Sequence, residues 1–134
     1  MTQTAHDIAL AFVAAINAHD IPRLSVLAGP RHRFIDSLGN VLTEHHSLEA
    51  AWRQYFAMVP DYHLAVLQIL VDKDTVVFLG TASGTFTQDG RLERRNQWTT
   101  PVALCARVAA GHVVEWQIYA DNEPMRACMR SSSH

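Results

Sequence analysis

The second half of the chain constrains the fold most. After Asp61 it reads as four long strands, at about 62 to 71, 75 to 87, 92 to 108 and 112 to 121, parted by Asp72-Lys73-Asp74, Gln88-Asp89-Gly90 and Ala109-Ala110-Gly111. A parallel pair needs a crossover of a dozen or more residues, so turns this short demand antiparallel neighbours. Gly80 and Gly84 interrupt the second of these strands, and glycine inside a strand marks a bend or bulge where a sheet curls. A curled sheet needs apolar cover, and the residues before Asp61 have to provide it.

They read mainly as helices. Thr4 and Asp7 form a capping box ahead of Ile8, Phe12 and Ile16, with Ala9 and Val13 beside them, which predicts an amphipathic helix over about 4 to 18. Asp20 caps a second, shorter helix with Pro22 in its first turn and Leu24 and Leu27 on its apolar side, ended by Gly29-Pro30. From Arg31 to Asp36 the period changes to two, with His32, Phe34 and Asp36 on one face and Arg33 and Ile35 on the other. Gly39-Asn40 turns the chain into a short strand near Val41. Thr43 or Ser47 caps a third helix, whose Leu48, Ala51, Trp52, Tyr55, Phe56 and Val59 form a wide apolar stripe ending before Pro60.

The expected fold class is therefore α+β: a cone-shaped, curved antiparallel β-sheet wrapped around N-terminal helices, a cystatin-like α+β roll with a cavity at its mouth. One domain over 1–130 accounts for the 134 residues, leaving 131–134 as a tail, and the stretch from Arg130 onward reads as disordered. With 11 basic residues against 13 acidic ones, and a dense basic stretch only at Arg91 to Arg95, nucleic acid is not an expected partner. The apolar runs are too short to cross a bilayer and the first residues do not resemble a secretion signal, so the expectation is no membrane and a cytoplasmic location. Cys105 and Cys128 lie far apart in sequence, and His45-His46 point in different directions from a helix start, so no metal site is expected.

Four segments carry a resemblance. Ala18-His19-Asp20, the run from Phe34 to Gly39, the run from Tyr55 to Tyr62 and the run from Glu115 to Asn122 look like the corresponding segments of SnoaL-like proteins. The order of elements is also similar to the nuclear transport factor two-like superfamily, which includes polyketide cyclases, ketosteroid isomerases and limonene-epoxide hydrolases. The likeness spans about residues 4 to 126. It implies cofactor-independent acid–base chemistry, such as cyclisation, isomerisation or hydration, on a small hydrophobic carbonyl compound, and the broad apolar outer sheet face adds the expectation of a homodimer. The alternative, on a scaffold this widely shared, is a non-catalytic small-ligand-binding or dimerisation module of the same fold.

The resemblance puts a catalytic base at Asp36 and an acid–base aspartate at Asp121. Burial among apolar walls would raise the pKa of Asp36, or the same side chain starts the turn that follows it. Asp121 shares a strand face with Gln117 and Tyr119, and that set is expected to look into the cavity, with Tyr119 orienting the substrate; otherwise Asp121 closes the strand end. Phe12, His32, Phe34, Trp52, Tyr55, Phe56, Trp98 and Gln117 are the expected ligand-lining residues. Steroid isomerisation is disfavoured, because Phe12 stands where that mechanism needs a tyrosine and no aspartate lies near Pro101 to Leu104. An epoxide hydrolase would need an arginine between two aspartates, and the strand arginine to consider is Arg107. The other strand face, with Trp116 and Ile118, is the expected dimer surface.

Overall fold

A computed structural model of the chain describes residues 3–131. Helix α1 spans Ala5–Asn17, and its start is fixed by the expected box: the Asp7 amide donates to Thr4 Oγ1 at 3.1 Å and the Thr4 amide to Asp7 Oδ2 at 3.3 Å. Helix α2, Ile21–Ala28, begins where Asp20 Oδ1 accepts from the Arg23 amide. Short strands β1, Arg33–Ile35, and β2, Val41–Leu42, lead to helix α3, His45–Met58. Neither Thr43 nor Ser47 caps α3; Glu44 is the N-cap and makes no side-chain bond.

Four long strands follow: β3 His63–Asp72, β4 Thr75–Thr85, β5 Gln97–Ala109 and β6 His112–Ala120. The third begins later than expected, because a 3-10 turn occupies Arg94–Asn96. The sheet order is β2-β1-β6-β5-β4-β3, antiparallel throughout except that β1 lies parallel to β6, with Phe34 opposite Trp116. That pair joins segments about 80 residues apart, which no short turn could signal. Gly80 sits where the β3–β4 register shifts between Val66 and Gln68, and a Cβ there would stand 1.9 Å from the Ala65 carbonyl oxygen. At Gly84 a Cβ would meet Val59 Cγ1 at 2.2 Å, so both glycines let another element come close.

Helix α4, Glu123–Ser131, closes the described chain. Arg130 and Ser131 belong to it, contrary to the expected disorder, because Met125 and Cys128 bury one face and Arg130 pairs with Glu123; residues 132–134 lie outside the described residues.

The helices cover one face of the sheet. Phe12 is fully buried, 4.8 Å from Trp116 and 5.7 Å from His32 between ring centroids, and Trp116 meets Phe78 at 6.1 Å. Burying a large side chain is worth about 1.5–3 kcal/mol, so this aromatic stack is a main source of stability. Trp116 faces inward because a sheet covered on one side turns its apolar alternate set toward the helices. The polar set must then face outward.

Candidate functional site

A cavity of about 280 Å³ lies between α3 and the concave face of the sheet. Trp52 and Tyr55 line it from α3, and Trp98, Thr100, Val102 and Leu104 from β5. Period two along β5 is what aims those four in one direction. Trp116, Ile118 and Ala120 line it from β6, and Phe34 and Asp36 from β1 and the turn after it. All three tryptophans of the chain are therefore wall residues. Half-buried Asp36 and Ser37 and exposed Asn122 form a polar rim, where Asn122 Nδ2 donates to Ser37 Oγ at 2.6 Å.

The structure brings together Asp36, Phe34, Trp52, Tyr55 and Trp98 from the expected set. It sets the others elsewhere. Phe56 is buried beside the cavity, stacked on His19 at 4.0 Å and on Trp52 at 5.4 Å. Phe12 and His32 belong to the packed core, where His32 Nδ1–H donates to the Val113 carbonyl at 2.5 Å. Gln117, Tyr119 and Asp121 do not line the cavity, which reverses the expected facing of β6: Tyr119 is 54% exposed, and Gln117 pairs with Cys105 on the outer face. Asp121 Oδ1 accepts from the Glu123 amide at 2.9 Å and so starts α4. Trp116 and Ile118, expected on the outside, are on the cavity wall.

Asp36 is doubly employed. Its Oδ1 accepts from the amides of Leu38 and Asn40 at 2.9 Å each, and its Oδ2 from Asn40 Nδ2 at 3.0 Å. Burial pushes its pKa up, but the bonds from the Asn40 side chain and from the backbone of Asn40, Leu38 and Gly39 outweigh it. The net result is a carboxyl held below its ordinary value, not above it as expected. It is therefore ionised at neutral pH. Burial raises the phenols of Tyr55 and Tyr62, and the neighbouring Tyr55 raises Tyr62 further, so both stay neutral.

Sequence reasoning missed Tyr62, Thr100, Ser37 and Asn122 as wall residues. The signal for Thr100 was available, since it shares the parity of Trp98. Ser37 and Asn122 meet only through tertiary structure. Among the described residues no group of three or more His, Cys, Asp or Glu could hold a metal ion, and no helix is long and apolar enough to cross a membrane. Arg107 pairs with the outer-face Glu115 at 3.8 Å and is absent from the wall. An Asp–Arg–Asp water site is not assembled around it.

Chemically, the arrangement can shelter a flat apolar molecule and offer it one ionised carboxylate at the rim. Solved structures share the architecture. A SnoaL-like protein from Shewanella denitrificans, a candidate polyketide cyclase, superposes with a TM-score of 0.81 at 15% identity, covering 96% of this chain and 98% of that one. IdmH from Streptomyces antibioticus, also a candidate polyketide cyclase, gives 0.78 at 21% identity over 96% and 99%. A protein from Catenulispora acidiphila with a ketosteroid isomerase-like fold, solved with trimethylamine, gives 0.72 at 18% over 87% and 86%. No match was found among curated proteins. At these identities the neighbours establish the fold, which is NTF2-like. The model of the SnoaL-like domain matches residues 9–116, and by that match, most of its length, the chain belongs to the SnoaL-like domain family.

Proposed function

We propose that this chain is a SnoaL-like small-molecule enzyme that takes a flat, mostly apolar carbonyl compound into the cavity and uses Asp36 to accept a proton beside the carbonyl. The carrying observation is that Asp36 is the one carboxylate among lining residues that, apart from Ser37, Thr100 and Asn122, are aromatic and aliphatic. Its carboxyl is ionised at neutral pH, as a base must be, while the hydrogen bonds that lower its pKa also make it a weaker base. Oδ1 takes the Leu38 and Asn40 amides and Oδ2 the Asn40 side chain, and Oδ2 is the oxygen proposed to meet substrate. Proton exchange between Asp36 and Asp121 is not part of this reading, since Asp121 is engaged at the start of α4. No cofactor is required by it.

A second reading, ligand binding without turnover, is favoured by those same three bonds, which employ Asp36 as a turn former. The two part on hydrogen–deuterium exchange at the α-carbon of β-tetralone in heavy water. Wild-type protein is expected to accelerate exchange, and Asp36→Asn to lose about 100-fold or more of that acceleration while tryptophan fluorescence reports affinity within about threefold. Binding without exchange would leave the second reading, and no binding would end both.

We further propose that two copies pair through the outer sheet face. There Leu79, Ala103 and Tyr119 form one cross-strand row, and Leu70, Val77 and Cys105 the next. Light scattering at micromolar concentration should report a dimer, and Leu79→Glu should give monomers; a monomeric wild type would refute the pairing.

A further inference from the structure

The hydrogen bonds that hold the Asp36 carboxyl down also set a demand. A weakened carboxylate removes a proton from carbon only where the charge passed to the carbonyl oxygen is stabilised, and among the described residues no lysine, arginine or histidine is on the wall to do so. Phe12 and the run from Pro101 to Leu104, where ketosteroid isomerases keep their donors, are apolar. The donors must then be neutral groups beside the base. Consecutive strand residues point to opposite faces, yet Asp36 and Ser37 both line the cavity, because β1 ends at Ile35 and a turn closed by the Gly39 amide on the Asp36 carbonyl, at 3.0 Å, begins there. Adjacent Cα atoms are about 3.8 Å apart, so both side chains start within reach of one carbonyl group. Asn122 comes to the same rim from the end of β6, where its Nδ2 donates to Ser37 Oγ at 2.6 Å. The two side chains own three N–H and O–H groups, and that bond uses one of them whichever way the amide is turned. Two donors remain. The backbone around Asn122 is fixed, since Thr100 Oγ1 donates to the Asp121 carbonyl at 3.0 Å and Asp121 Oδ1 accepts from the Glu123 amide at 2.9 Å. Trp52, Tyr62, Trp98 and Trp116 also carry donors on the wall, but none of them is joined by chain or hydrogen bond to the turn that bears Asp36.

We propose that Ser37 and Asn122 are a catalytic donor pair: they bind the substrate's carbonyl oxygen at the cavity rim and hold the charge that develops on it when Asp36 deprotonates the neighbouring carbon. This rests on the reading of Asp36 as the base and adds which groups make so weak a base competent. The C–H bond breaks, its proton goes to Asp36 Oδ2, and its electron pair becomes a C=C bond as the carbonyl π pair moves onto oxygen. Negative charge thus passes from Asp36 to the enolate oxygen, and hydrogen bonds to that oxygen strengthen as the step proceeds. Asp36 is only half-buried, so the proton it takes exchanges with solvent before one returns to carbon. With both donors at the rim, the carbonyl end lies at the mouth and the apolar rings fill the hollow behind it.

The test uses the full chain and β-tetralone in heavy water. Ser37→Ala and Asn122→Ala should each slow hydrogen–deuterium exchange about tenfold, and the double variant about 100-fold, while affinity by tryptophan fluorescence stays within about threefold. Ser37→Thr keeps a hydroxyl and should keep most of the rate. Parallel losses of affinity and rate would mean that the pair only braces the rim, and would end the donor role. In the infrared, the carbonyl stretch of β-tetralone bound to the wild type should lie below its position in hexane, and should move back toward that position in the double variant. A stretch at the hexane position in the wild type overturns the pair even if the variants fold poorly. Exchange lost in Asp36→Asn but kept within about threefold in the double variant removes the pair while the base stands. No acceleration by the wild type removes the reading of Asp36 and this inference with it.

Discussion

The concave face of the sheet is filled under most of α1, whose Ile16 alone reaches the cavity, and hollow under α3, although both helices present an apolar stripe. Helix α1 buries Ile8, Ala9, Phe12, Val13, Ala15 and Ile16, whereas the longer α3 buries only Leu48 and Phe56. The difference does not lie in composition, because Trp52 and Tyr55 are as apolar in bulk as Phe12. It lies in what each stripe meets. Phe12 is wedged between His32 and Trp116, while Trp52 and Tyr55 face a cavity across which Trp98 stands. Helical periodicity says which side of a helix avoids water; it is silent on whether the space beyond is filled.

Matched substitutions would break this comparison if it is false. Ala106 is fully buried on the packed side, and Ala120 lines the cavity. Ala106→Leu forces extra volume into filled space and should cost about 1–3 kcal/mol in urea unfolding. Ala120→Leu grows into the hollow and should change stability by less than about 0.5 kcal/mol, while weakening β-tetralone binding measured by fluorescence. Equal losses would mean that the two sides are packed alike.

A smaller effect comes from pH. At the packed end, burial is the largest influence on His32 and lowers its pKa from 6.5, against the Val113 bond, which raises it. The folded state thus holds His32 neutral while the unfolded chain takes up a proton below about 6.5, so stability is full above that value and falls as pH drops through the folded pKa. The slope cannot exceed about 1.4 kcal/mol per pH unit for one group. Urea midpoints between pH 7.5 and 5 should fall in wild type and flatten in His32→Phe; an unchanged slope would clear His32. At the cavity rim, Asp36 has the opposite charge type and a lowered pKa, so its contribution is present above 3.8 and is lost only at lower pH. The two regions should fail in different pH windows.

Much of the fold was legible because its signals are local. The capping box at Thr4, the Asp20 cap and the turns between the long strands each depend on residues within a few positions of one another. The site was legible in part. Alternation put Phe34 and Asp36 together, and both are on the wall. On β6 the two sets were read correctly but the wrong one was turned inward, because an acid was aimed at an imagined ligand when burial of Trp116 and Ile118 outweighs it. Helix α4 escaped notice because it is nine residues long and its apolar side is little more than Met125 and Cys128.

By itself, then, the sequence determined the first three helices, the long strands, their antiparallel order and the acid at position 36, since chain stiffness, capping and short turns act between near neighbours. Tertiary structure alone decided that β1 lies parallel to β6 with Arg33 bonded to Glu115, that Ser37 meets Asn122, and that α3 stands off from the sheet. Those outcomes depend on volume and on contacts between residues far apart along the chain. No local pattern encodes how much space is left when the elements have packed.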